Sequence, residues 1–265
     1  MNILVCVKQV PDTTEIKINP ETNTLIRDGV PSIVNTFDAF ALEMAARIKD
    51  KREAKIVVIS MGPEQAKNAL KECLSTGADK AYLVSDRAFG GSDTLATGYI
   101  LSKAVKAVEA EEGAFDIIFC GKQAIDGDTA QTGPQLAEQL NYPQITCITD
   151  ITYADGKIRA ERETEYGKEI WEARAPAVVT VTKPAFEPRY PTIKSKIAAN
   201  KAVIPVLTLK DVDADAEKSG LKGSPTKVKK VYVPVRNKNG VIIRDEAAAE
   251  SAKRLAGLLS NAGFV

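Results

Sequence analysis

Residues 115–140 read FDIIFCGKQAIDGDTAQTGPQLAEQL. The stretch opens on an apolar run, Ile117-Ile118-Phe119-Cys120, short enough to be a buried strand. Gly121 turns the chain, residues 122–128 form a polar loop, and a helix follows with Leu136, Ala137 and Leu140 on its apolar side. Strand, glycine turn, polar loop and helix make one βα step of an open parallel sheet. Ligands in such sheets bind beyond the carboxyl ends of the strands. A helix start there offers free N–H groups and the positive end of a dipole, which suits a phosphate. Thr129 and Thr132 add hydroxyls at that start. Asp126 and Asp128 repel a phosphate, but they can hold ribose hydroxyls or cap the helix. Taken alone, the stretch reads equally as a nucleotide site or as a capped helix whose polar residues only satisfy its end. Gly121-Lys122 lacks the spacing of a P-loop, and no G-x-G-x-x-G opens a helix in the first βα unit.

The same alternation extends to both sides. Residues 3–7 are apolar throughout, as a central parallel strand requires. Residues 14–30 alternate around Asn19-Pro20-Glu21-Thr22-Asn23, which predicts a hairpin ahead of the first helix. Asn35 or Thr36 can cap that helix, which runs through Phe40, Leu42, Ala45 and Ile48. Residues 56–59 form the second strand, and Pro63 opens a helix through Leu70 and Cys73. Residues 81–84 form the third strand, and residues 90–93 lead into a helix through Leu101 and Val105. The fourth strand is 117–120 and the fifth 145–151. This order predicts an α/β fold: a doubly wound, mostly parallel sheet with helices on both faces.

The pattern changes after residue 150. Residues 153–157 read as a hairpin turn, and 169–174 and 177–182 as strands, so extra antiparallel strands are expected at one edge. Residues 183–201 read as an exposed polar segment and 211–226 as a loop rich in Asp, Lys, Gly and Ser. An extended piece at 231–234 precedes a C-terminal helix over 246–259, with Ala249, Ala252, Leu255 and Leu258 on one face. The expected division is 1–205 as a nucleotide-binding domain and 206–265 as a loop and C-terminal arm.

Composition narrows the function. The 265 residues are 44% hydrophobic, and 36 basic against 35 acidic residues leave a net charge of +1. That balance gives no general attraction to nucleic acid or to a membrane surface. No apolar stretch approaches bilayer length, and no signal peptide is visible. Cys6, Cys73, Cys120 and Cys147 form no C-x-x-C pair and fit buried free thiols, so a cytoplasmic location is expected. The absence of histidine excludes Ser-His-Asp and Cys-His chemistry and histidine metal sites. Any redox work falls to an organic cofactor.

The run GKQAIDGDTAQTGPQLAEQL resembles the signature of the β subunit of electron transfer flavoproteins. The likeness runs nearly end to end. It includes Val7-Lys8-Gln9-Val10-Pro11, Asn35-Thr36-Phe37-Asp38, Met61-Gly62-Pro63-Glu64 and Glu187-Pro188-Arg189-Tyr190. It implies a heterodimer with an α subunit that carries a flavin, and electron exchange with an acyl-CoA dehydrogenase. The arm would then pack on that subunit. The resemblance also implies an adenine-nucleotide site at Cys6, Asn35, Phe37, Asp38 and Met61. The site continues through Gly121, Lys122, Gln123, Ala124, Ile125, Asp126, Gly127, Asp128, Thr129, Ala130, Gln131 and Thr132.

Residues 90–97, GGSDTLAT, resemble the NADH-using, electron-bifurcating members of the family. That likeness implies FAD rather than a structural AMP in the β subunit, with Asp93, Thr94 and Thr97 at its site. NADH is then the donor, a second FAD sits on the α subunit, and ferredoxin or flavodoxin is the low-potential acceptor. A plain carrier holding AMP, or a non-redox adenine-nucleotide module, is the alternative. Residues 187–201 resemble the family's recognition segment for acyl-CoA dehydrogenases, which implies partner contacts from Arg189, Tyr190 and Ile193. Ile193 stands where the family usually carries leucine.

Overall fold

The computed structural model describes residues 1–12, 31–229, 240–245 and 247–265. The hairpin expected over 14–30 and the extended piece at 231–234 lie outside the described residues. In chain order the strands are β1 (Asn2–Cys6), β2 (Gln9–Pro11), β3 (Ser32–Val34), β4 (Lys55–Met61), β5 (Lys80–Val84), β6 (Ile117–Gly121), β7 (Gln144–Ala154), β8 (Lys157–Thr164), β9 (Gly167–Arg174), β10 (Ala177–Val181) and β11 (Val206–Leu207). The helices are α1 (Thr36–Lys49), α2 (Lys67–Thr76), α3 (Thr94–Glu112), α4 (Thr132–Leu140), α5 (Ile193–Lys201), α6 (Gly220–Gly223) and α7 (Ala248–Asn261). A short 3-10 turn, Glu64–Ala66, separates Pro63 from α2.

The chain divides into two compact units, Met1–Lys229 and Lys230–Val265. Residues 206–229, expected in the arm, therefore belong with the first unit. Within the second unit α7 runs close to the expected span and leaves Leu255, Leu258 and Leu259 exposed.

The main sheet has nine strands in the order β11-β5-β4-β1-β6-β10-β7-β8-β9. Pairing is parallel from β11 to β7 and antiparallel for β8 and β9. The antiparallel edge was legible, but β10 corrects its composition. Ala177–Val181 is not an edge strand: it returns to the interior, parallel between β6 and β7. Its five residues are all buried, and a run without polar alternation is the mark of a strand covered on both faces.

Successive side chains point to opposite faces of a strand, and the two cores follow that period. Ile3, Val5, Ile56, Val58, Ile117 and Phe119 pack with Phe40, Met44 and Leu70 of α1 and α2. Leu4, Val57, Ile59, Ile118 and Cys120 pack with Leu101, Val105, Leu136 and Leu140 of α3 and α4. The helices thus cover both faces, as a doubly wound sheet demands. The chain steps from β1 to β4 to β5, then crosses back to place β6 on the other side of β1. The gap between β1 and β6 is therefore the topological switch point, where the crevice of an open α/β sheet forms.

The opposite end of the sheet is locked by a charge cluster. The Glu112 carboxylate, at the end of α3, is 2% exposed and pairs with Lys55 and Lys80 at the starts of β4 and β5. Tyr82 donates its hydroxyl to the same group.

Candidate functional site

A cavity of about 530 Å³ opens at the carboxyl ends of β1, β4 and β6. Its volume suits a small molecule of cofactor size. Three strand ends supply its floor: Cys6, Val7 and Lys8 from β1 and just beyond, Ile59 and Met61 from β4, and Cys120 and Gly121 from β6. The crevice lies over the first, second and fourth strands. The third strand, β5, contributes only through the turn that follows it, because β4 and not β5 is the neighbour of β1.

Asp38 closes the switch point. One carboxylate oxygen accepts the Lys8 N–H at 2.8 Å and the other the Gly121 N–H at 3.0 Å, which ties the ends of β1 and β6 together. The group is 6% exposed. Burial pushes its carboxyl up to about 7, against the opposing pull of Asn35 and of these two N–H groups. Cys6 and Cys120 stand in register on neighbouring strands. Hydrogen bonding to Cys120, then burial, push the Cys6 thiol up, so it lines the floor as a neutral thiol.

Asn35 occupies the N-cap position of α1 without a side-chain cap bond. Its amide instead donates to Gln123 O at 2.8 Å and accepts from Ile125 N at 3.0 Å. It therefore pins the loop after β6 from behind. Asp126 pairs with Lys8 Nζ at 2.7 Å, and Asp128 accepts from the Gln123 amide. Of the residues the sequence assigned to the site, Asn35, Phe37, Ile125, Asp126 and Asp128 do not line the cavity. Asn35, Ile125, Asp126 and Asp128 instead take part in bonds that shape its loop.

The start of α4 is also a correction. The helix begins at Thr132, with Gln131 at the cap, and not at Thr129. Asp128 and Ala130 adopt left-handed backbone conformations, φ 57° and 53°, which no helix start can contain. Pro134 sits in the first helical turn, where its missing N–H goes unused. Thr129, Ala130, Gln131 and Thr132 still line the cavity, as do Lys122, Gln123, Ala124 and Gly127.

The third wall is the start of α3. Asp93 caps it as expected, accepting from Leu95 N and Ala96 N at 3.0 and 3.1 Å. Asp93, Thr94 and Thr97 line the cavity. Thr94 donates to Gln131 Oε1 at 3.0 Å and so links the two helix starts. The sequence reading missed Val7, Lys8, Ile59, Ser92, Leu101, Cys120, Gly133 and Thr226. All but Leu101 and Thr226 flank assigned motifs or strand ends, and that adjacency was the available signal; Leu101 lies one helical turn beyond Thr97 on α3. Thr226 carried none.

The 183–201 segment is not a plain loop. Thr192 and Ser195 form a capping box that starts α5. Arg189 donates in a fork to Glu43, with Nε at 2.8 Å and Nη2 at 3.1 Å, and reaches Asp50 at 2.7 Å. These carboxylates raise the Arg189 guanidinium further above its ordinary range. Glu43→Gln is expected to cost roughly 1–2 kcal/mol, discounted because Arg189 is 35% exposed. A urea midpoint shows that loss, and nucleotide content should not change.

Among the described residues no group of His, Cys, Asp and Glu is arranged to hold a metal, and no helix is long and apolar enough to cross a membrane. The strand order and its switch-point crevice define a doubly wound α/β protein, with two helix starts and hydroxyl-bearing walls where such sheets take their ligands. Comparison with known proteins gives the family. A sequence model of the electron transfer flavoprotein domain matches residues 22–212. The electron transfer flavoprotein subunit beta of Megasphaera elsdenii is 51% identical over 255 residues, covering 95% of this chain and 94% of that one. The subunit of the same name from Clostridium acetobutylicum is 44% identical over the full length of both chains. The caffeyl-CoA reductase-Etf complex subunit CarD of Acetobacterium woodii is 44% identical over 98% of each. The chain belongs to the electron transfer flavoprotein family, as a β subunit.

Proposed function

We propose that the cavity binds FAD, and that with an α subunit the chain takes electrons from NADH and passes them on. The observation that carries this reading is the third wall. AMP would be served by the floor and the loop after β6. The cavity continues to the start of α3, where Asp93, Thr94 and Thr97 face it. That extension gives room for the larger remainder of a dinucleotide beyond its phosphates. The main-chain N–H groups of residues 129–132 and the Lys122 ammonium would hold the phosphates. Bound there, a flavin supplies the ring that accepts hydride, chemistry that no side chain of this histidine-free protein offers. The Thr97 hydroxyl at the α3 start, and that of Thr94 if it turns from Gln131, would hydrogen-bond polar atoms of the ring.

The other partners follow from the family and the surface. A relative named as a subunit of a CoA-ester reductase complex supports assembly with an acyl-CoA dehydrogenase. Tyr190 and Ile193, 94% and 82% exposed, would meet it, with Lys194 and Lys196 at the rim. Arg189 would position these two, since its guanidinium is held within the chain. The arm would seat on the α subunit, and ferredoxin or flavodoxin would take the low-potential electron. Acid release of nucleotide from the purified αβ complex tests the reading. Two FAD per complex are expected; one FAD with one AMP overturns it.

A further inference from the structure

The 206–229 segment is firmly attached, despite its loop-like composition. β11 pairs with β5, and Val212 is buried among Val84, Phe89, Ile100 and Ala104. Asp215 N donates to Tyr99 Oη at 2.9 Å. The strap then reaches the turn before α3. Gly220 N donates to Ser92 Oγ at 3.1 Å, and Asp93 N donates to Ser224 Oγ at 2.8 Å. Thr226 donates twice to Asp93 Oδ2, from its N–H at 3.1 Å and its hydroxyl at 2.8 Å. Thr226 also lines the cavity.

Asp93 thus serves two elements at once. Oδ1 caps α3, which forms one wall of the cavity. Oδ2 latches the strap end, and only residues 227–229 separate that latch from the second unit. Desolvation pulls this carboxyl up, but the hydrogen bonds from Ala96, Thr226 and Leu95 outweigh it and hold it below the usual carboxylate range. The latch is therefore built for the ionised group.

We propose that Asp93 is a positioning residue that couples nucleotide occupancy of the cavity to the closed latch at the root of the C-terminal arm. The inference rests on the nucleotide reading above. A ligand that touches both the α3 start and Thr226 meets both only when the latch is closed. Its binding free energy then favours closure, and closure favours binding by the same factor. A strap merely covering a helix would show no such reciprocity.

Asp93→Asn separates the two roles. The amide keeps an oxygen for the cap but turns an NH₂ group toward the Thr226 N–H, so two donors face each other. Thr226→Val removes only the hydroxyl. Amide hydrogen exchange over residues 216–229 is followed in the full αβ complex, stripped of nucleotide and then given FAD, with AMP as a second probe. In the wild type, FAD should slow exchange at Ser224 and Thr226 about tenfold. In Asp93→Asn that slowing should vanish and FAD binding should weaken about tenfold. Thr226→Val should reduce both effects, and it carries the test alone if the first variant fails to assemble. FAD binding to the wild type without slowed exchange overturns the coupling alone, as do variants that bind and protect like the wild type. Failure of FAD and AMP to bind the wild type overturns both the nucleotide reading and the coupling.

Discussion

Gly121→Val should yield a complex without nucleotide at the β site. Gly121 ends β6 at the switch point, with no room beside its α-carbon. A β-carbon there would collide with the Asp38 carboxylate and lie 2.7 Å from the backbone and β-carbon of Phe37. Both neighbours are anchored at the start of α1, so neither can yield as a flexible side-chain tip would. Displacing Asp38 would also break the bonds from Lys8 N and Gly121 N that join β1 to β6. Overpacking of this kind costs about 1–3 kcal/mol. Losing a buried carboxylate's partners adds about 1–3 kcal/mol. If both fall on the nucleotide-binding state, affinity drops by at least about thirtyfold. Released nucleotide per complex and the urea midpoint separate the effect on the site from the effect on the fold. Stoichiometric nucleotide in this variant would contradict the placement of the site.

Glu112→Gln should remove much of the chain's acid-sensitive stability. Burial raises the Glu112 carboxyl, but Lys55, Lys80 and the Tyr82 hydroxyl outweigh it and hold it at about 2, from an ordinary 4.5. A depressed carboxylate stabilises the fold above its ordinary value, and that contribution disappears as pH falls from 4.5 to about 2. The difference corresponds to roughly 3 kcal/mol at neutral pH. The glutamine variant should lose about 2–3 kcal/mol at pH 7, because Lys55 and Lys80 can turn to water while Tyr82 keeps an acceptor. The gap between variant and wild type should close as pH falls from 4.5 to about 2 in urea titrations. A gap constant with pH would show that packing, and not charge, is what Glu112 supplies.

The parts of the fold that were legible share one physical cause. β1, β4, β5 and β6 are buried on both faces, so their sequences are continuous apolar runs set off by turns. Gly121 and Asp93 were legible because a crowded turn and a helix cap are decided by local geometry. What escaped depends on distant partners. The return of β10 into the sheet is fixed by β6 and β7, and Val206–Leu207 becomes a strand only because β5 offers an edge. Thr226 reaches Asp93 across 133 positions, which no local pattern encodes. The start of α4 was placed three residues early because left-handed conformations at Asp128 and Ala130 are unusual for residues other than glycine. The internal pairing of Arg189 escaped because Glu43, on α1, and Asp50, just past its end, lie far away in sequence.

Electron entry at the β site is tested by anaerobic titration of the αβ complex with NADH, followed by flavin absorbance. The ring would lie toward Thr94 and Thr97, whose hydroxyls flank the start of α3. Thr94→Val removes one hydroxyl and its bond to Gln131, and should perturb flavin binding or potential with the fold intact. Two flavins per complex, bleaching by NADH and a shifted titration in Thr94→Val are expected. One flavin with one AMP and no response to NADH would contradict electron entry at this site.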